Sequence, residues 1–554
     1  MSHPRAGLRV LAFLSLVAFV GVGVPRVSAA AGQPHANPNL KTAVPLHDDQ
    51  TSISPSLHAL CQDFLGQPNP YSNPAPNVDQ INGDTVVPTG SQTGCSSPQN
   101  ETTIAVNPSN PQNLVGGAND YRVFNSRENR NDSSGWAYAS FDGGATWTDV
   151  QLPHLTFQTG ATGALSDMDS TGEPSLSFGP NNTVYYANLV FSRLNSASGI
   201  VVSISHDGGL TWSEPSIVHT DGVDGTGNPL PTSIANDKEG VAVSPTDSNT
   251  AYVSWTEFGP SGSPIVFSAT HDGGTTWSAP AQVTPAFTPG GITPYDQGSV
   301  PQVSNHGTLY IAYEGAVCQS LTCDQPTDHD AIIMAKSSNG GASFVSTQVS
   351  VDFDFPFNAD VGRETLTSEN FRVNSFPQFT IDRARGRLYV TWADDRNGQY
   401  DANGNSIKTN GDVFVTRSGN GTHWSKVFQI GTPDDEVFPA IAAYDGHIAV
   451  SFYTRTNDPT GINVDYAYVT SERNLKHTTV TRITTQSENP QVQFVGIGLV
   501  SGNILQGEFI GDRTAVAMGT DRVFHPSWTD FRGNPNVAND TPNQDAYTQA
   551  IAAP

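Results

Sequence analysis

An all-β ring of repeated antiparallel sheets is the fold class this sequence predicts, on three observations. A turn string recurs at fixed spacing: SFDGGATW at 140–147, SHDGGLTW at 205–212 and THDGGTTW at 270–277, so Asp142, Asp207 and Asp272 stand 65 residues apart. Two apolar strands joined by a polar turn precede each copy, as in EPSLSFGPNNTVYYANLVFSR at 173–193. With 52 glycines and 39 prolines in 554 residues, the composition suits many short strands joined by turns. Self-similarity of this kind reads as a β-propeller of seven four-stranded blades, with six blades as the alternative.

The N-terminal stretch is different in kind. Arg5 and Arg9 precede an apolar run from Val10 to Val24, and Ser28, Ala29 and Ala30 follow it. A positive start, a short apolar run and a small-residue exit predict a signal peptide over 1–30, removed on secretion to the extracellular space. The run is shorter than the roughly 20 apolar residues that span a bilayer, so no membrane span is expected. Residues 31–60, rich in Pro, Asn, His and Ser without periodicity, read as a flexible leader. Residues 61–99 form an N-terminal segment, and the propeller occupies 100–554.

Within the propeller the paired strands recur at 101–122, 173–193, 239–258, 301–315, 377–396, 439–455 and 513–532. A third strand runs into the turn string, as in SGIVVSISHDGG, and WSEPSIV or WSAPAQV supplies a fourth. Later copies drift: SSNGGASF at 337–344 puts Asn339 where the Asp stood, and RSGNGTHW at 417–424 is shortened. The seventh unit ends in QDAYTQAIAAP, which gives a third strand and no fourth. A ring left open would expose a sheet edge, so a strand from the N-terminal segment, near DTVVPT at 84–89, is expected to close it.

Charge and cysteine usage exclude several classes. The 26 Lys and Arg stand against 52 Asp and Glu, a net charge of −26, which repels phosphate backbones; nucleic acid is not an expected partner. The four cysteines allow three disulfide connectivities, and proximity favours Cys61–Cys95 and Cys318–Cys323. No Cys/His cluster, phosphate-binding glycine loop or G-x-S-x-G is present, so zinc, nucleotide and serine-hydrolase chemistry lack support.

In S-x-D-G-G-x-T-W every residue has a local task. Gly takes positive φ, Asp accepts hydrogen bonds from its own turn, and Trp packs between sheets while its N–H finds a carbonyl. Asp142, Trp147, Asp207, Trp212, Asp272 and Trp277 are therefore expected to be structural. The string is similar to the Asp box, or bacterial neuraminidase repeat, of sialidases and related propellers, and the repeat pattern covers roughly 100–552. That resemblance implies that the boxes stabilise the blades on the face away from the active site. It also implies an arginine triad for a substrate carboxylate, a Tyr nucleophile paired with a Glu, and an Asp acid/base. The strand opening that carries the first Arg in that family here reads NETTIAVNP, without Arg, and the family's ring has six blades.

Strand openings and the loops between second and third strands share one end of a propeller axis. That end is expected to gather Glu101, Glu173, Glu239, Tyr121 and Asp530 as catalytic candidates. Arg122, Arg372, Arg396 and Arg532 are the substrate-binding candidates, and Lys238, Asp512 and Arg513 belong to the same openings. A salt bridge repeated with the fold is the plainer reading of any single Asp-x-Arg pair. DANGNSIKTNGD at 401–412 places Asp401, Asn403, Asn405 and Asp412 at positions 1, 3, 5 and 12 of a calcium-type loop, although Ser406 takes the glycine position; structural Ca²⁺ is weighed there and no cofactor is required. The expected protein is a secreted monomer acting on extracellular glycans as a sialidase-like glycoside hydrolase, or a non-catalytic carbohydrate- or protein-binding propeller.

Overall fold

A computed structural model describes residues 76–81, 98–128, 130–360, 362–402, 404–458, 460–472, 475, 478–492, 495–497, 505–532 and 544–554. Seven antiparallel sheets follow one another along the chain. Blade 1 comprises Gln99–Val106, Leu114–Asn125, Arg130–Ser140 and Thr148–Gln151. Blade 2 comprises Ser170–Phe178, Val184–Phe191, Ser198–Ser205 and Ser216–Asp221, and blade 3 comprises Ala235–Ser244, Asp247–Phe258, Ile265–Thr270 and Ala281–Gln282. Blade 4 is Gly291–Val303, Leu309–Cys318, His329–Ser337 and Val345–Val351; blade 5 is Gln378–Asp382, Arg387–Asp394, Asp412–Ser418 and Phe428–Ile430. Blade 6 is Glu436–Tyr444, His447–Thr454, Asp465–Glu472 and Thr481–Arg482. In each of these the strands pair in chain order, so the blade is a meander.

Blade 7 closes the ring. Ala515–Met518, Val523–Asp530 and Asp545–Thr548 supply three strands, and Val78–Asp79 pairs with Asp545–Thr548 as the fourth. Closure by an N-terminal strand is as expected, but the strand precedes DTVVPT, which lies outside the described residues, as do the leader and Cys61 and Cys95. Cys318 and Cys323 form the expected disulfide, closing a loop at the end of blade 4's second strand.

Apolar side chains fill the spaces between blades. Val115 and Ala137 of blade 1 meet Tyr186 and Val201 of blade 2, and Val202 of blade 2 meets Val241, Val253 and Trp255 of blade 3. Because side chains alternate along a strand, each sheet buries both faces against its neighbours.

The turn strings do what their residues dictate. Asp142 accepts hydrogen bonds from Ser140 Oγ (2.9 Å), Ala145 N (3.0 Å) and Thr146 N (2.9 Å), and Asp207 repeats the set with Ser205, Leu210 and Thr211. Asp272 is held by Thr270 and Thr276. Trp147 and Trp212 donate to the carbonyls of Gly144 and Gly209. Trp277 departs from the expectation: its N–H goes to Ser216 Oγ of the preceding blade.

Innermost strands start at the opposite end of the axis, and there the backbone is strained. Glu101, Glu173, Lys238 and Phe438 have φ of 53°, 55°, 53° and 52°, each at a register shift of its inner strand. Gly298 (66°) holds the same place in blade 4, and Gly511 (94°) leads into blade 7. A bulge with a left-handed residue re-aims one side chain, at a cost of order 1 kcal/mol or more for a residue other than Gly. The repeat uses it to point side chains at the axis.

Candidate functional site

At the axial end Lys238 is the hub. Its ammonium contacts Glu173, lies 2.8 Å from Asp512 Oδ2 and is 3.7 Å from Glu101 Oε1. Arg372 holds Asp512 with a two-pronged grip, Nε to Oδ1 at 3.0 Å and Nη2 to Oδ2 at 2.9 Å. Arg513 adds a 3.3 Å ion pair to Glu173, and the Asp512 N–H donates to Glu101 at 3.0 Å. Gly511 is required at this approach, since a Cβ there would stand 2.7 Å from Glu101 N.

Asparagines support the charged groups from outside. Asn119 Oδ1 accepts from the Glu173 N–H at 2.9 Å while its amide donates to Asn100 at 3.1 Å. One aromatic ring faces the cluster from another blade: Phe376 lies 5.8 Å from the Lys238 ammonium and fills the space a Gly298 side chain would take. Phe438 takes the axial bulge position of blade 6.

Glu101, Glu173, Lys238, Glu239, Arg372 and Asp512 are all at most 4% exposed. Burial, and then the nearby Glu173 charge, push the Glu101 carboxyl up to about 8. Burial and the same neighbour raise Glu239 well above the usual carboxylate range, and no other described residue donates a hydrogen bond to either of its oxygens. Asp512 goes the other way: burial would raise it, but Arg372 and Lys238 outweigh that and hold it low. Three cations thus meet Glu173 and Asp512, with Glu101 3.7 Å from Lys238 and the carboxyls of Glu101 and Glu239 both raised by burial.

The structure brings together Glu101, Glu173, Glu239 and Arg372 from the expected set, with Lys238, Asp512 and Arg513. It places the other candidates in the blade bodies. Arg122 folds back on Asp120 at 2.7 Å, pairs with Asp149 at 2.6 Å and stacks over Trp136 at 4.0 Å. Arg396 is bonded to Asp394 and lies 3.9 Å over Phe414; Arg532 is bonded to Asp530 and lies 5.1 Å over Tyr547. Asp530 also accepts from Trp528, and Tyr121 is buried. These form local ion pairs: each Asp also accepts the backbone N–H of its Arg two residues on (3.2, 3.2 and 3.3 Å), an Asx-type turn that brings the guanidinium onto the same carboxylate.

At 401–412, where structural Ca²⁺ is weighed, the described carboxylates have protein partners. The Asp401 carboxylate is taken by the Asn405 backbone (2.8 Å) and amide (2.9 Å), and Asp412 is buried in a strand, accepting from Asn397 at 2.6 Å. Asn403 lies outside the described residues. Two other groups have carboxylate oxygens within 4.8 Å of one another: Glu101, Glu173 and Asp512, and Glu314, Asp330 and Asp354. Such oxygens suit a hard cation. In the first the Lys238 ammonium already serves that role.

Three features had no reading in the sequence. Phe376 and Phe438 at the axis are the first two. The third lies over blade 5, where Tyr400 donates to Asp395, whose carboxyl burial raises to about 8. The only signal for Phe438 was its place at a strand opening, equivalent to Glu101.

The chain matches no protein-family model and no curated protein. Among solved structures it is similar to a protein of unknown function from Dyadobacter fermentans (10% identity, 69% of this chain and 95% of that one, TM-score 0.40). It is also similar to the Hadza microbial sialidase Hz136 (14%, 76% and 73%, 0.39) and to the phage phi92 endosialidase (10%, 83% and 68%, 0.42). At these identities and scores the likeness says nothing about chemistry.

Proposed function

We propose that this protein is a secreted propeller that acts on extracellular glycans at its axial cluster, with glycoside-hydrolase chemistry of the sialidase-like kind. One observation carries the reading: Lys238, Arg372 and Arg513 meet Glu173 and Asp512 at a point where Glu239, a carboxyl that burial raises and to which no other described residue donates, also converges. The guanidinium groups of Arg372 and Arg513 suit an anionic sugar, and Phe376 offers a ring for its C–H face. Glu239, whose carboxyl burial raises, is the group to give a proton to a leaving oxygen, and proton transfer of this kind needs no cofactor. The resemblance of the turn strings to Asp boxes and the leader-like N-terminus support the glycan and export parts of the reading.

A non-catalytic glycan-binding role is favoured by a different observation, the depth of the cluster, whose cations already hold carboxylates. Assays against a fluorogenic sialoside and a panel of acidic-sugar glycosides, with binding to the same sugars measured in parallel, separate the two. Turnover that Glu239→Gln abolishes supports hydrolysis. Binding without turnover selects the second reading, and neither binding nor turnover overturns both.

A further inference from the structure

The end of the ring opposite the axial cluster has its charge sorted by sector. Over blades 1–3 its exposed charged side chains are Asp142, Asp207, Glu214, Asp247 and Asp272, and the turns there contain no Lys or Arg. Over blades 4 and 5 the same end carries Lys336, Arg383, Arg385, Arg387, Arg417 and Lys426. Six of the chain's 26 Lys and Arg thus crowd one sector, whose turn acid, Asp382, is buried; the neighbouring Asp445 of blade 6 pairs with Arg385 at 3.1 Å and with Arg522 at 2.7 Å.

The turns do not require this sorting. Asn339 accepts from Ser337 Oγ (2.8 Å) and Ser343 N (3.1 Å), and Asn420 from Ser418 Oγ (3.2 Å) and His423 N (3.0 Å), so an amide builds the turn as a carboxylate does. Blades 4 and 5 have shed the turn charge beside the basic sector, while blades 1–3 keep it. The same end exposes large apolar side chains, Phe141 (46%), Leu210 (42%) and Val345 (63%). Exposed apolar groups flanked by charge mark protein contacts more often than polysaccharide ones.

We propose that this face docks a second copy of the chain, acidic sector against basic sector. A two-fold axis lying in the face along the boundary of blades 3 and 4 brings each sector of one copy onto the opposite sector of the other, so the contact is made twice and closes. The axial clusters then face outward from both sides of the dimer, and the monomer expected from the sequence gives way to a salt-sensitive pair.

Sedimentation equilibrium of the full chain tests this. The dimer should weaken by at least about tenfold between roughly 0.1 and 1 M salt, as the Debye length falls from about 10 to about 3 Å. Arg387→Glu with Lys426→Glu should give a monomer. Glu214→Lys with Asp207→Asn and Asp272→Asn should do the same, the Asn changes copying the turns of blades 4 and 5. Mixing the two variants should restore a dimer, because the reversed charges of one then face the reversed charge of the other. A wild-type monomer at all salts, a dimer indifferent to both charge changes, or variants that stay apart on mixing would each overturn the proposal. Capture of dextran sulfate by a monomeric wild type would also overturn it, assigning the basic sector to a polyanion.

Discussion

At the turn end of the ring each Asp is satisfied by its own eight residues, in a backbone relaxed by glycine. At the axial end Glu101, Glu173 and Lys238 sit in left-handed conformations that cost energy, and their charges are satisfied by residues from distant blades. Local satisfaction makes a part that can be stamped out repeatedly. Satisfaction across the ring makes a site that exists only once the ring has closed. The difference separates what the fold needs from what it has been fitted to carry.

The largest test of that contrast is Lys238→Met. It should destabilise the protein by about 3–5 kcal/mol in urea unfolding, since it leaves buried carboxylates without their hub. A cost like that of a surface residue would show that the axial network is not closed as described. At the turn end Asp207→Ala should cost only about 1 kcal/mol by the same measurement, the worth of its local hydrogen bonds. Asp207→Asn should cost a few tenths at most, because Asn339 and Asn420 already perform that role.

A pH titration sharpens the comparison further. Glu101, Asp395 and Glu436 are raised by burial to about 8 in the fold, against 4.5 for an ordinary Glu and 3.8 for an ordinary Asp. The folded state therefore binds more protons than the unfolded chain, so their stabilising effect is full below the ordinary values and is lost as pH rises through about 8. Melting temperature should fall from about pH 5 to about pH 9, and Glu101→Gln should flatten part of that slope. Asp142 and Asp207, held low by their turns, lose stabilisation only in acid, as pH falls below the ordinary carboxylate value.

Period and turn chemistry made the ring legible, since both are local and repeat. The closing strand Val78–Asp79 was placed a few residues late, because two residues carry no alternation to read. Glu101, Glu173 and Glu239 were found as charged residues at strand openings. The sign of their φ is not written in the residue type, so the device that aims them was not. For Arg122, Arg396 and Arg532 the Asp two residues earlier was the signal, and the salt bridge it suggested is the arrangement the structure shows. The pairing of Arg372 with Asp512, 140 positions apart, is set by the closed ring alone.

The most direct test sets one variant from each end side by side in the glycan assays. Glu239→Gln should lower turnover by about 100-fold or more with little change in melting temperature, because Gln keeps the shape of the buried carboxyl and removes only its acid. Asp207→Asn should leave turnover unchanged. Full activity in Glu239→Gln, or its loss in Asp207→Asn, would contradict the assignment of chemistry to the axial end.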